Sequence, residues 1–220
     1  MSERASVAPV PRGLRVVSLV LVALVLAFAG RAAADEGAGD GLYGRFDGDV
    51  WLAAGLGAGA VVDHGAARDG STLELRARFL DSVGPFAFAQ AEGLAGSGAA
   101  WSVGGGLELR PLFLARFLTN SSLGREWLDV LVDSLGLELG VVALSPAQRA
   151  QAALVFGGGL EVPLVLGAVR ISLRLGVRWM HAEHLRTGVQ NEVSVLGGLV
   201  VSAPVDVGLA SREGPRALLE

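Results

Sequence analysis

The sequence predicts an all-β fold, an eight-stranded antiparallel up-and-down transmembrane barrel with one short amphipathic helix in the connection after strand four. Three observations predict it. From Val169 to Met180 the chain alternates: Val169, Ile171, Leu173, Leu175, Val177 and Trp179 are apolar, while Arg170, Ser172, Arg174, Gly176 and Arg178 fill the places between. A strand sends successive side chains to opposite faces, so this segment has one apolar face and one bearing three guanidinium groups. The second observation is composition. Apolar residues make up 51% of the chain and charged ones only 18%, yet Arg, Glu or Asp interrupts every apolar run after residue 45 before it reaches the length of a spanning helix. Any contact of this region with lipid falls to strands. The third is repetition: weaker copies of the alternation bring the count to eight candidate strands, and an even number of antiparallel strands can close without leaving an edge.

Residues 1–34 read as a cleaved secretory signal peptide. Arg4, Arg12 and Arg15 make a basic beginning, and Val16 to Ala29 is an apolar stretch shorter than the ~20 residues of a spanning helix. Ala32, Ala33 and Ala34 then offer small residues for cleavage before Asp35. Cleavage there removes four Arg and one Glu from 18 basic and 22 acidic side chains, leaving a formal charge of −7. So acidic a chain offers no basic patch, and nucleic acid is not an expected partner. The absence of Cys excludes disulfides, thiolate metal sites and a cysteine nucleophile. All basic residues are Arg, whose planar fork stays charged and can hold two carboxylate oxygens at once.

Residues 35–46 form a short, flexible, acidic lead, 47–209 the barrel domain and 210–220 a polar tail. Strand one, Asp49 to Val62, sets Val50, Leu52, Ala54 and Leu56 against Gly55, Gly57 and Gly59. A polar loop from Asp63 to Gly70 leads to strand two, Ser71 to Leu80, where Leu73, Leu75, Ala77 and Phe79 alternate with Glu74, Arg76 and Arg78. Asp81 to Pro85 reads as a tight turn. Strand three, Phe86 to Gly93, alternates large side chains with alanines, and its pattern leaves open which face is which. Strand four, Ala100 to Arg110, sets Trp101, Val103, Leu107 and Leu109 against Ser102, Gly104, Gly106, Glu108 and Arg110, and Pro111 stops it. Trp127, Leu128, Leu131 and Leu135 fall at helical spacing, which predicts the short helix. Strand five, Ser134 to Leu144, carries Glu138, and strand six, Ala152 to Pro163, carries Glu161, each opposite a run of Leu, Val and Phe. Strand seven is Val169 to Met180. After a polar loop from Glu183 to Asn191, strand eight runs from Glu192 to Ser202.

The cost of charge in lipid chooses the faces. Arg on the lipid side costs ~2–4 kcal/mol near the midplane, so the arginine face of strand seven is expected to line the lumen. Glu74, Glu108, Glu138 and Glu161 share the parity of Arg76, Arg78, Arg110, Arg170, Arg174 and Arg178 on their own strands, which predicts an ion-pair network plugging the barrel. The reverse arrangement, a soluble barrel, would have to fit some thirty apolar side chains into an interior with room for a packed layer or one small ligand. Trp101 and Trp179 are expected at one rim as membrane-interface aromatics, and Trp127 with its helix at the other.

The signal, the eight strands and the lumen charges together resemble the small eight-stranded outer-membrane barrel proteins of Gram-negative bacteria. The resemblance covers roughly residues 47–209 and is one of pattern. It implies an outer-membrane location after export, outer-membrane lipid as partner, a monomer, no cofactor and a structural or surface-interaction role. Members of that group commonly end the last strand on an aromatic, whereas no aromatic follows Trp179 here. Some such barrels act on lipid A, and His181, His184 and Ser194, close in sequence beside Glu183, are the weak candidates for such catalysis. His181 and His184 lack a third metal ligand, so no metal is expected. Gly104–Gly106 and Gly157–Gly159 lie inside alternating strands without the Lys-Ser/Thr ending of a phosphate loop. The second reading is a lipid A-modifying barrel enzyme, and the third a soluble periplasmic barrel carrying a lipophilic ligand.

Overall fold

The computed structural model describes residues 50–63, 65–93, 100–119, 123–144, 152–167, 169–184, 188–205 and 207. The signal peptide, the acidic lead and the C-terminal tail expected from sequence lie outside these residues. Eight antiparallel strands form one closed barrel in sequence order: β1 (Val50–Asp63), β2 (Ala66–Phe79), β3 (Val83–Glu92), β4 (Ala100–Leu109), β5 (Gly136–Leu144), β6 (Ala152–Val165), β7 (Arg170–His184) and β8 (Gly188–Val205). β1 pairs with β8 along fourteen residues, from Val50↔Val205 to Asp63↔Glu192, so no edge is left open there.

The register sets the width. Following partners from Val50 through Phe79, Val83, Leu109, Leu137, Gly158, Val177 and Val195 returns to β1 at Ala60, ten residues above the start. Eight strands with that stagger tilt by ~43° and enclose a lumen just wide enough for side chains to fill. Parity then sorts every strand. On β3, Phe86, Phe88, Gln90 and Glu92 are buried, and Pro85, Ala87 and Ala89 are exposed, which resolves the face that the alternation left open.

Hairpins are longer than the polarity pattern suggests. The expected loop from Asp63 to Gly70 shrinks to a turn around Gly65, because β2 already pairs with β1 from Ala66↔Asp63 onward. Likewise β7 and β8 pair as far as His184↔Gly188, so most of the expected loop from Glu183 to Asn191 is strand. Small and polar residues serve as well in a paired hairpin as in a loop, since backbone hydrogen bonds ignore side-chain polarity.

The connection after β4 holds two helices where one was expected: α1 (Pro111–Leu118) and α2 (Glu126–Asp133). Pro111 ends the strand and opens α1, since its fixed φ and missing N–H suit the first helical turn. Gly124, at φ 73°, lies between the two helices. Arg116 ties them together, donating to Asp133 at 2.9 Å and bonding to Asp129. No helix among the described residues is long and apolar enough to cross a membrane.

Candidate functional site

Because β1 starts and β8 ends at one rim, the other rim carries the β1–β2, β3–β4, β5–β6 and β7–β8 connections. From the terminal rim upward, the lower two thirds of the lumen are ionic. Arg76 reaches Glu74 (2.7 Å), Glu108 (2.8 Å) and Glu138 (2.8 Å). Glu138 also takes Arg174 (2.7 Å) and Arg178 (2.7 Å). Arg174 (3.1 Å), Arg78 (3.0 Å) and Arg110 (2.8 Å) converge on Glu161. These side chains come from β2, β4, β5, β6 and β7, or in the case of Arg110 from the residue after β4, and each is at most 9% exposed. A carboxylate so buried costs several kcal/mol in desolvation, which two or three guanidinium partners offset through charge-assisted hydrogen bonds. Glycines make room for the long arms: a Cβ on Gly159 would stand 2.6 Å from the Arg174 Nη2 atom.

Sequence reasoning missed Asp81. Assigned to a turn, it folds into the lumen and receives Arg110 (2.9 Å), Arg170 (2.9 Å) and Arg78 (3.4 Å). The turn that aims it is unusual, since Leu80 (φ 47°) and Asp81 (φ 55°) are both left-handed and Ser82 N–H bonds back to Phe79 O at 2.9 Å. This geometry matches the twist of a tight hairpin but normally wants Asn or Gly. The only available signal was an Asp beside a tight turn, and that alone does not say where its carboxylate points. Trp51, also missed, lies inside, with the Arg170 guanidinium 4.2 Å above its ring.

Above the ions the lumen divides. On the side of β3, β5, β6 and β7 it is apolar, with Phe86, Phe88, Val142, Leu144, Ala153, Val155, Met180 and Ala182 in one cluster. Arg178 joins the two layers, its guanidinium 4.4 Å from the Phe88 ring centre. On the side of β3, β4 and β8 the lumen is polar, lined by Gln90, Glu92, Ser102, Glu192 and Ser194, all buried. One gap of about 20 Å³, beside Gly57, Thr72, Glu74 and Arg174, is the size of a single water.

The outward face is the opposite of the lumen. Leu107, Leu139, Val141, Leu175, Val195 and Leu199 are each more than half exposed. All seven outward positions of β1 from Val50 to Val62 are apolar, a band roughly 30 Å tall at ~3.3 Å per residue and ~43° tilt. Trp101 and Trp179 face outward at nearly the same height near the rim away from the termini, Trp179 lying between Phe156 (5.6 Å) and His181 (5.5 Å). Trp127 stands on α2 at the other rim, its Nε1 donating to Pro163 O at 2.8 Å.

Two of the catalytic candidates, His181 and Ser194, lie on opposite faces of the wall. His181 lies on the outer face of β7, its Nδ1 2.8 Å from Asn191 Oδ1. Ser194 lies on the inner face of β8, where it accepts from Gln90 at 3.1 Å. The barrel wall stands between them, so they cannot form a nucleophile–base pair. His184 ends β7, and its side chain is outside the described set. Among the described residues no three His, Asp or Glu side chains converge as a metal site.

No protein-family model and no curated protein matches the chain. Among solved structures it is similar to Neisserial surface protein A, with 12% identity over 70% of this chain and 96% of that one, at a TM-score of 0.39. It is also similar to Ail, the attachment invasion locus protein of Yersinia pestis, with 13% identity over 70% of this chain and 98% of that one, at a TM-score of 0.35.

Proposed function

We propose that the protein is an outer-membrane barrel whose single chain spans the lipid, with a lumen closed by side chains and a structural or surface-interaction role in place of solute passage. One observation carries this: side chains of opposite polarity alternate across the wall, with Leu175 about half exposed on one face of β7 and Arg174 and Arg178 about 5% exposed on the other. In water so tall a largely apolar exterior invites association, whereas hydrocarbon is its natural solvent. A soluble carrier of a lipophilic ligand would need the faces exchanged. The ion pairs, the apolar cluster and the water-sized gap support a lumen closed to solutes.

The test is electrophoretic mobility of the chain in mild detergent, unheated and heated, together with fractionation of the native host. A heat-dependent shift with the protein in the outer-membrane fraction is the expected result. A water-soluble product whose mobility does not change on heating overturns the reading.

A further inference from the structure

We infer that Glu92 and Glu192, with the Gln90 amide between them, form a binding site for a hard divalent cation, calcium foremost, at the lumen rim away from the termini. Gln90 Nε2 lies 3.2 Å from Glu92 Oε1, 3.4 Å from Glu192 Oε1 and 3.1 Å from Ser194 Oγ, so one amide head gathers oxygens from two strands that are not neighbours in the barrel. Gln90 and Glu92 are 2% exposed, Glu192 4% and Ser194 fully buried.

Charge separates this cluster from the network below it. There every carboxylate meets at least one guanidinium within 3 Å. Here Glu192 is surrounded by Glu92 and Asp63, which add to the negative charge, against Arg68, which opposes it from the open end of the lumen-facing row of β2, so carboxylates outnumber guanidinium groups three to one among these four. Two buried carboxylates held together by a neutral amide call for a positive counter-charge.

The unpartnered oxygens point the same way. Gln90 Oε1, Glu92 Oε2 and Ser102 Oγ are buried and have no hydrogen-bond partner, and Ser102 is paired directly with Gln90 across β3 and β4. Buried polar atoms are seldom left unused. A half turn of the Gln90 amide brings Oε1 to the place of Nε2, among two carboxylates and a hydroxyl, an all-oxygen set. Such a set selects calcium or magnesium over softer metals, and calcium tolerates the irregular spacing. Two carboxylates completed by neutral oxygens and water place the affinity in the ~10⁻⁴–10⁻³ M range of extracellular calcium modules.

The inference does not depend on the membrane reading, since it rests on the rim cluster alone. The test uses the full barrel refolded in detergent and stripped with chelator, titrated calorimetrically with calcium chloride beside a Glu92→Gln/Glu192→Gln double variant. Because the exchange is nearly isosteric, the variant should still fold, which the heat-dependent gel shift checks. One saturable calcium per barrel, weakened ~10-fold or more in the variant, is the expected result. Absence of saturable binding overturns the inference. So does equal binding by the folded variant, which would mark an adventitious ion only. If calcium has no effect while acidification stabilises the native protein and not the variant, a shared proton holds the pair and the inference fails.

Discussion

Ser134 and Glu161 form a strand contact in which one partner uses its side chain. Ser134 Oγ accepts from Glu161 N–H at 2.9 Å, and its own proton lies between Glu161 O at 2.9 Å and Leu131 O at 2.7 Å. β5 begins only at Gly136, opposite Gly159, so β6 would otherwise present bare backbone from Leu160 to its end. Ser134, the C-cap of α2, extends the ladder by one hydroxyl, and Trp127 of the same helix covers Pro163 O. The helix thus closes the seam between β5 and β6 at the terminal rim.

Ser134→Ala is therefore expected to strand a buried N–H and carbonyl and to destabilise the barrel by ~1–3 kcal/mol. Urea unfolding followed by tryptophan fluorescence measures this, and a change within a few tenths would show that the seam has another seal.

Glu138 meets Arg76, Arg174 and Arg178 together. Glu138→Ala leaves three buried guanidinium groups short of a partner and should cost ~3–5 kcal/mol in the same assay. A paired Glu138→Leu/Arg178→Met exchange, which removes charge of both signs, should recover part of that loss.

Leu80 holds a left-handed backbone that a side chain resists by ~1–2 kcal/mol. Leu80→Gly is expected to stabilise the hairpin by up to ~1 kcal/mol, the unfolded chain taking back the remainder through its greater freedom. Asp81→Ala, by contrast, should destabilise, since Arg110 and Arg170 both rely on that carboxylate. Comparing the two urea midpoints separates turn strain from the ion pairs.

Leu175 faces outward near mid-height of the band, one residue from the lumen-facing Arg174. If lipid meets that face, Leu175→Arg should lower folding stability in lipid vesicles by ~2–4 kcal/mol. An unaffected folding yield and stability in vesicles would count against lipid contact there.

A closed lumen predicts no steady conductance when the refolded barrel is placed in a planar bilayer. Arg178 links the ion layer to the aromatic cluster, so an Arg178→Ala/Phe88→Ala variant is expected to show intermittent current. Long-lived open levels in the unaltered protein would contradict the closed lumen.

What the sequence determines by itself is local. Period two is a property of one strand, so the segment around Arg174 states its two faces without reference to any neighbour. The same rule was silent for β3, where alanines alternate with both Phe and Glu, because neither set declares which side is wet. It also misjudged the β1–β2 and β7–β8 hairpins, whose small and polar tips pair as strand.

Tertiary structure decides whatever depends on register. A stagger of ten residues determines which carboxylate each arginine reaches, places Gln90 of β3 against Glu192 of β8, and puts a wall between His181 and Ser194. It also leaves the end of β6 uncovered until Ser134 and Trp127 arrive. The physical reason is that alternation requires only neighbouring dihedral angles along one chain segment, whereas register arises from closing eight strands on one another. That closure is a condition on the whole ring, and no single stretch of sequence contains it.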